Sequence, residues 1–271
     1  MVGSRPMRNV RVEVAYDGSL FYGWQRQDGF DSVQEAIEDA LRELTGDVTT
    51  VHGAGRTDTG VHALRQVAHF HTDTPLDDDR LRHALNAHLV AGVVLRRLET
   101  CRDDFHSRFD ARGKRYLYVT MTTRFRPAIG RQYAHWVHDP LDRAAIENAA
   151  ARFLGTHDFV AFTTSGSSVK TTERTIHGLK LFARRESFAF VVQGNGFLYN
   201  MVRRIAGTLI DVGRGRLDPT VVTQALESGD RDGIGPTAPA CGLYLVRALY
   251  REPVFPGRDR GPRGVPGLFQ Y

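Results

Sequence analysis

Apolar residues in the first hundred positions follow the periods of both strands and helices. Between residues 10 and 16 valines alternate with more polar neighbours, which predicts a half-buried strand. Residues 33–44 carry one helical apolar stripe; Ser32 and Glu35 at its start are typical of a capping box, and Gly46 ends it. Shorter patterns predict strands over residues 49–52, 66–72 and 93–99 and a helix over residues 80–89.

The second half repeats this order of elements. The patterns predict strands over residues 114–121, 176–182, 188–193 and 242–250, and helices over residues 143–154, 199–212 and onward from Asp218-Pro219. Strands and helices in both halves indicate an α+β protein of two units that share a sheet. We expect an N-terminal unit over residues 1–105, a C-terminal unit over residues 106–250, and a Pro/Gly-rich strap over residues 251–271 that docks on the body.

The strand predicted over residues 114–121 has two different faces. Tyr116 and Tyr118 lie on one face, and Leu117 and Val119 lie on the other. If only one face belongs to the core, the aliphatic one is the better candidate. This pattern therefore predicts that Tyr116 is free to meet a ligand.

Composition and charge narrow the class of protein. The chain has 271 residues, of which 41% are hydrophobic and 25% charged, with a formal net charge of +5 and only two cysteines. The low cysteine count excludes a disulfide scaffold. The absence of a bilayer-length apolar run or a signal-peptide pattern favours a cytoplasmic protein.

All basic residues except Lys114, Lys170 and Lys180 are arginines. Arginine suits phosphate contacts, so nucleic acid is one interpretation, and a GC-rich genome is the other.

A glycine-rich segment over residues 53–63 holds the most distinctive chemistry. Gly55 and Gly60 have the spacing of a phosphate-binding loop, but Val61 and His62 stand where that motif needs lysine and a hydroxyl residue. The dinucleotide fingerprint also fails, because its third glycine comes too late. The loop is therefore not built for a nucleotide phosphate.

What remains in this loop is one carboxylate, Asp58, among small residues. Arg56 lies two positions earlier, and a guanidinium beside a carboxylate keeps it ionised and oriented. An ionised aspartate with an open face is a candidate nucleophile or base. Local physics alone favours a simpler role for Asp58, as the cap of a turn.

Residues 55–63, Gly-Arg-Thr-Asp-Thr-Gly-Val-His-Ala, resemble the signature of the tRNA pseudouridine synthase A family. The signature usually has alanine where this chain has Thr59. Seven further segments of that family occur here in family order and cover nearly the whole chain: residues 16–18, 21–27, 32–35, 104–109, 114–118, 200–205 and 242–246.

The resemblance implies a fold, an activity and partners. The fold is that of pseudouridine synthases: two ferredoxin-like subdomains with a shared mixed or antiparallel sheet and a central cleft. The activity is isomerisation of uridine to pseudouridine in the anticodon stem-loop of tRNA, at nucleotides 38, 39 and 40. No cofactor is required, and the family is homodimeric.

The resemblance also assigns roles to individual residues. Asp58 matches the essential aspartate, which adds covalently to the sugar or the base. Arg203 matches an arginine that pairs with it, and Tyr116 matches a tyrosine that contacts the extruded base and moves a proton. Arg56 resembles the residue that props the stem open after the base has left.

Other residues are weaker candidates. Gln25 and Arg26 follow a turn among aromatics and are candidate RNA contacts. Arg174 is a candidate for the cleft. His69 and His71 share a strand face as two metal ligands would, but no third ligand accompanies them, so we expect no metal.

Two other functions compete with the isomerase. A non-catalytic RNA-binding protein would need Arg56 and the aromatics but not Asp58. A hydrolase using Asp58 as acid or base would want a second carboxylate or a metal cluster, and the sequence shows neither.

Overall fold

The structure is a computed structural model that describes residues 6–164, 170–184 and 186–255. Its helices are α1 (Val33–Thr45), α2 (Asp78–His88), α3 (Arg143–Ala151), α4 (Met201–Gly213) and α5 (Val221–Ser228). Its strands are β1 (Arg8–Tyr16), β2 (His52–Gly53), β3 (His62–Thr72), β4 (Val93–Thr100), β5 (Ala111–Met121), β6 (His135–Trp136), β7 (Gly155–Asp158), β8 (Glu173–Arg184), β9 (Ser187–Gly194) and β10 (Leu243–Tyr250).

All these strands belong to one open sheet. Its main path runs β4-β1-β3-β10-β5-β9-β8-β7, with β2 on the side of β3 and β6 on the side of β5. The β3–β10 and β5–β6 pairs are parallel, and the other pairs are antiparallel. The predicted α+β class with a mixed sheet is confirmed.

Each half of the chain has the ferredoxin-like arrangement. The order β1-α1-β2-β3-α2-β4 gives the spatial order β4-β1-β3-β2, and the order β5-α3-β8-β9-α4-β10 gives β10-β5-β9-β8. Both are βαββαβ units with the same strand arrangement. They meet where β10 pairs with the start of β3, at Tyr244 opposite His62 and Leu245 opposite Ala63. The division at residues 105 and 106 stays a prediction.

Local signals account for the helix bounds. Ser32 caps α1 by accepting a hydrogen bond from the Glu35 backbone N–H, and Gly46 ends the helix in the left-handed conformation at φ 81°. The buried face of α1 is formed by Val33, Ile37 and Leu41. The capping box and the apolar stripe therefore place this helix as predicted, to within a residue.

Both faces of β5 are buried, which corrects the expectation that only its aliphatic face is core. Tyr116 and Tyr118 belong to the main core with residues of the helices, and Tyr116 is only 7% exposed. Leu117 and Val119 pack in a second cluster with Ala134, which precedes β6. The segment around β6 therefore covers one face while the helices cover the other, and Tyr116 is not a freely exposed residue.

The start of the predicted C-terminal strap contacts the N-terminal unit. Phe255 is buried, and Arg97 donates a hydrogen bond to its carbonyl oxygen at 2.7 Å. Residues 256–271, the rest of that strap, lie outside the described part of the chain. No helix in the described ranges has the length and apolar character needed to cross a membrane.

Candidate active site

The glycine-rich loop runs from the end of β2 to the start of β3 and is tied down on both sides. Gln66 of β3 donates a hydrogen bond to the carbonyl oxygen of Gly55 at 2.7 Å. The hydroxyls of Tyr16 and Thr57 share a hydrogen bond of 2.8 Å, and the Trp24 backbone N–H donates to the Thr57 carbonyl oxygen at 3.1 Å. These bonds fix the backbone immediately before Asp58.

Two glycines let the preceding segment approach this loop closely. Gly23 has φ 95°, and a Cβ atom there would lie 2.5 Å from the Thr57 carbonyl oxygen. A Cβ atom on Gly18 would lie 2.1 Å from the Val61 carbonyl oxygen. Both distances are too short for any side chain, so these positions require glycine.

Asp58 forms an ion pair with Arg203 across the seam between the two units. The Arg203 Nη1 atom lies 3.5 Å from the Asp58 Oδ2 atom. About a quarter of the Asp58 side chain remains exposed, and Arg203 is exposed to 19%. The carboxylate is therefore held from one side and open on another.

Arg203 is itself held in place by neighbours of α4. It donates to the Asn200 side-chain oxygen and to the Ala238 carbonyl oxygen, both at 2.8 Å, and its own carbonyl oxygen accepts from the Ala238 N–H. Asn200, which precedes α4, has φ 60°, a conformation that asparagine tolerates better than most residues. Sequence reasoning missed the supporting roles of Asn200 and Ala238: Asn200 begins the recognised segment 200–205 but was assigned no role, and Ala238 lies outside every recognised segment.

Burial and Arg203 act on the pKa of Asp58 in opposite directions. Burial is the larger influence and raises the pKa above its ordinary value, while the charge and hydrogen bond of Arg203 lower it. The Arg203 guanidinium therefore offsets part of the free-energy cost of burying the charged Asp58 side chain.

Arg56 does not pair with Asp58, contrary to the expectation from their spacing. Its Nε atom donates to the Gln25 side-chain oxygen at 2.9 Å, and Gln25 in turn donates to Gln34 of α1 at 2.7 Å. Arg56 is exposed. The structure thus brings two of the predicted RNA contacts, Arg56 and Gln25, into one hydrogen-bonded pair beside the loop.

Arg26 is engaged with α1. Its guanidinium lies 3.2 Å from Glu38 and 3.5 Å from Glu35. The same two carboxylates raise the pKa of Arg26. Arg26 follows Gln25 directly in sequence. In this conformation Glu35 and Glu38 partly neutralise its charge.

Burial and the charge of Asp58 both act on the pKa of Tyr116. Burial is the main cause that raises the pKa of the Tyr116 hydroxyl, and interactions with Tyr16 and Asp58 add to it. The ring meets that of Phe197 edge-on at 5.2 Å. The structure therefore brings Asp58, Arg203 and Tyr116 together, although Tyr116 lies at the edge of the core rather than on an open face.

Arg174 lies at the start of β8, and its place in the cleft stays a prediction. Its guanidinium donates to the carbonyl oxygens of Thr171 and Glu173, and its charge acts on Lys114 of β5. Lys114 belongs to one of the recognised motif segments, but no pattern in the sequence assigned it a role.

The histidines considered as metal ligands form a larger group than the sequence showed. The ring of His69 lies 4.6 Å from that of His106, 5.1 Å from His52 and 6.2 Å from His71. The Ser107 backbone N–H donates to the His69 Nδ1 atom at 3.2 Å. Within the described residues, no three His, Cys, Asp or Glu side chains have an arrangement that could hold a metal ion.

The comparison with family models agrees with this geometry. The family model for tRNA pseudouridine synthase matches residues 13–110 and 149–251, which include the loop with Asp58, the strand β10 and the helix α4. The chain belongs to the tRNA pseudouridine synthase family. The resemblance of residues 55–63 to this family is thereby confirmed.

Curated relatives lead to the same family. A tRNA pseudouridine synthase A from Acetivibrio thermocellus is 45% identical over 244 residues, which is 90% of this chain and 100% of the relative. A protein of the same name from Thermoanaerobacter sp. is 42% identical over 244 residues, with the same coverage of both chains. Among solved structures, "Crystal Structure of a Cbf5-Nop10-Gar1 Complex" aligns with 89% of this chain and 60% of that chain, at 12% identity and a TM-score of 0.35. That structural similarity is too low to support an argument.

Proposed function

We propose that this protein isomerises uridine to pseudouridine in the anticodon stem-loop of tRNA, at nucleotides 38, 39 and 40, with Asp58 as the nucleophile. The observation that carries the proposal is the Asp58–Arg203 ion pair, which leaves part of one carboxylate open in a cleft. Membership of the tRNA pseudouridine synthase family supplies the reaction class.

The reaction balances without an oxidant or a cofactor. The bond between N1 of uracil and C1′ of the ribose breaks, a bond from C5 to C1′ forms, and the proton on C5 is replaced by one on N1. Asp58 adds covalently to the sugar or the base while the base turns. Arg203 keeps the carboxylate ionised and oriented, and the Tyr116 hydroxyl moves the proton at C5.

The substrate must leave its helix before this chemistry starts. The target atoms are unreachable inside a stacked stem, so the base has to be extruded into the cleft. Arg56 occupies the space that the base leaves and contacts a phosphate beside it, and Gln25 and Arg26 also contact the RNA backbone. The hydrogen bond between Arg56 and Gln25 supports a joint role, because it places one guanidinium at the exposed rim of the loop.

We extend the proposal to the assembly and location of the protein. The resemblance implies a homodimer that acts in the cytoplasm, where tRNA is modified. Gel filtration with light scattering tests the dimer. A measured mass of 30.3 kDa at micromolar concentration, which is the mass of a single chain, would contradict it.

Tritium release from tRNA labelled at C5 of uridine tests the activity. The wild-type protein should release tritium, and Asp58→Asn should fold and bind tRNA yet release none. Asp47→Asn is the matched control, because it makes the same change at an exposed aspartate outside the cleft. Chelation should leave the release intact.

Each competing function predicts a different result in that assay. Release by purified Asp58→Asn equal to wild type would remove Asp58 from the reaction. Tight tRNA binding with no release by wild type would indicate the RNA-binding protein, and a cleaved product would indicate the hydrolase.

A further inference from the structure

Lys114 lies on the face of β5 that points to the catalytic loop. Side chains alternate along a strand, so Lys114 and Tyr116 share a face. A Cβ atom placed on Gly55 would lie 2.5 Å from the Lys114 Cε atom and 3.1 Å from its Nζ atom. The ammonium group is therefore packed directly against the loop backbone, three residues before Asp58.

The surroundings of Lys114 are cationic. Its pKa is lowered first by burial and then by the positive charges of Arg108 and Arg174. Among the ion pairs of the described residues, Lys114, Arg108 and Arg174 have no carboxylate partner, while the nearby Asp58 is paired with Arg203. A lysine that two guanidinium groups repel and that has no counter-charge favours the binding of an anion.

We propose that Lys114, flanked by Arg108 and Arg174, binds a phosphate of the RNA backbone beside the target uridine. This inference rests on the proposed function. An extruded nucleotide carries its ribose and its neighbouring phosphates toward the cleft, and a phosphate close to the Asp58 carboxylate needs cations between the two. Gly55 has no side chain, which leaves room for Lys114 to reach that position.

This role makes Lys114 a positioning residue for the target nucleotide. A half-buried cation that meets the phosphate only when the nucleotide is extruded stabilises the extruded state more than the first encounter complex. Its contribution should therefore appear in kcat/KM, which compares the transition state with free enzyme and free tRNA. A point charge is what this role requires, so arginine should replace lysine with partial success.

The salt dependence of kcat/KM tests the proposal. Each neutralised phosphate contributes about 0.7 to 0.9 to the slope of log affinity against log salt. Lys114→Met should lower kcat/KM at low salt and flatten this slope by about that amount. When the salt concentration rises from about 50 to 200 mM, the kcat/KM of wild type should therefore fall by a factor about threefold larger than that of Lys114→Met.

Two further variants complete the experiment. Lys180→Met makes the same change at an exposed lysine of β8 and should keep the wild-type slope. Lys114→Arg should restore most of the slope. A slope unchanged in Lys114→Met, with equal thermal stability, would overturn the proposal. Equal loss in Lys114→Arg and Lys114→Met, with an altered pH profile, would overturn it in favour of proton transfer.

The same assay separates this inference from the proposed function. If wild type makes no pseudouridine, the proposed function fails before Lys114 is tested. If wild type makes pseudouridine and Lys114→Met behaves like Lys180→Met, only the phosphate site fails.

Discussion

The Asp58 carboxylate and the Arg203 guanidinium lie 3.5 Å apart although 145 positions separate them in the chain. Asp58 belongs to the loop between β2 and β3 of one ferredoxin-like unit, and Arg203 to α4 of the other. The two units meet at the β3–β10 pair. The ion pair can therefore form only when both units are folded and joined, which couples assembly of the fold to assembly of the site.

Replacing Arg203 should move the acid side of the pH profile. In the proposed reaction Asp58 acts as a carboxylate, so activity falls as the pH drops through its pKa. The charge and the hydrogen bond of Arg203 lower that pKa against the larger effect of burial. Arg203→Gln should therefore move the acid limb of kcat/KM to higher pH and reduce activity at neutral pH. Arg203→Lys, which keeps the charge, should shift it less, and an acid limb identical in Arg203→Gln and wild type would contradict the pairing.

Asp58→Asn should also stabilise the fold. Burial raises the pKa of Asp58, so the folded state binds this proton more tightly than the unfolded state does. The stability from this group is present at low pH and is lost as the pH rises through the folded pKa. At pH 7 the variant should have a higher thermal midpoint than wild type, and the difference should shrink below the ordinary aspartate pKa of about 3.9. If the thermal midpoint of Asp58→Asn at pH 7 is lower than that of wild type, the ion pair with Arg203 stabilises the fold by more than the burial of the charge destabilises it.

Features set by neighbours in sequence were predicted well. The start of α1 follows from Ser32 and the end from Gly46, both of which act on the backbone within four residues. The glycine-rich loop and its single carboxylate were also visible, because they lie in one short segment. The pairing of Asp58 with Arg203 came from the family resemblance alone, since nothing in the local pattern links positions so far apart.

Features set by distant parts of the chain were not predictable in this way. Tyr116 was expected to be free because its strand has an aliphatic face, but helices cover the tyrosine face and Ala134 lies on the other. The sequence pattern placed residues 62 and 63 in the glycine-rich loop. In the structure they begin β3, because β10 pairs with them. Arg56 was expected near Asp58 and instead bonds to Gln25, 31 positions earlier.

The histidine group should make the fold sensitive to acid. Burial, followed by the charges of His106, His52 and His71, lowers the pKa of His69 to about 4. A lowered pKa means that stability is present above the ordinary value of about 6.5 and is lost as the pH falls toward the folded value. His69→Gln should therefore lose less of its thermal midpoint between pH 7 and pH 4.5 than wild type does. His177→Gln, at an exposed position of β8, should keep the wild-type dependence; equal acid sensitivity in all three proteins would contradict this role.

Arg56 and Arg26 should contribute unequally to tRNA binding. Arg56 is exposed and bonded to a neutral partner, whereas Arg26 must leave Glu35 and Glu38 to bind a phosphate. Arg56→Ala should flatten the salt slope of the tRNA dissociation constant by about 0.9, the value for one phosphate of a duplex. Arg26→Ala should flatten it by less. Binding curves at several salt concentrations measure both slopes, and equal slopes in wild type and Arg56→Ala would exclude a phosphate contact at Arg56.

The hydroxyl of Tyr116 should matter for turnover and not for stability. The described residues offer this hydroxyl no hydrogen bond, whereas Tyr118 on the same face donates to the Pro239 carbonyl oxygen at 2.9 Å. Tyr118→Phe should therefore lower the free energy of unfolding by about 1 kcal/mol, and Tyr116→Phe should leave it unchanged. Denaturant unfolding of both variants measures this difference.

Pseudouridine formation then separates the two roles that remain for Tyr116. If the hydroxyl moves the proton at C5, Tyr116→Phe should lose at least about 100-fold in turnover, which is the lower range for general acid–base catalysis, and should still bind tRNA. If the ring only stacks on the extruded base, Tyr116→Phe should remain active and Tyr116→Leu should lose about 1–3 kcal/mol of transition-state binding. We expect the first result, because the phenol lies within electrostatic reach of Asp58. Full activity of a folded Tyr116→Leu would make Tyr116 a core residue with no part in the reaction.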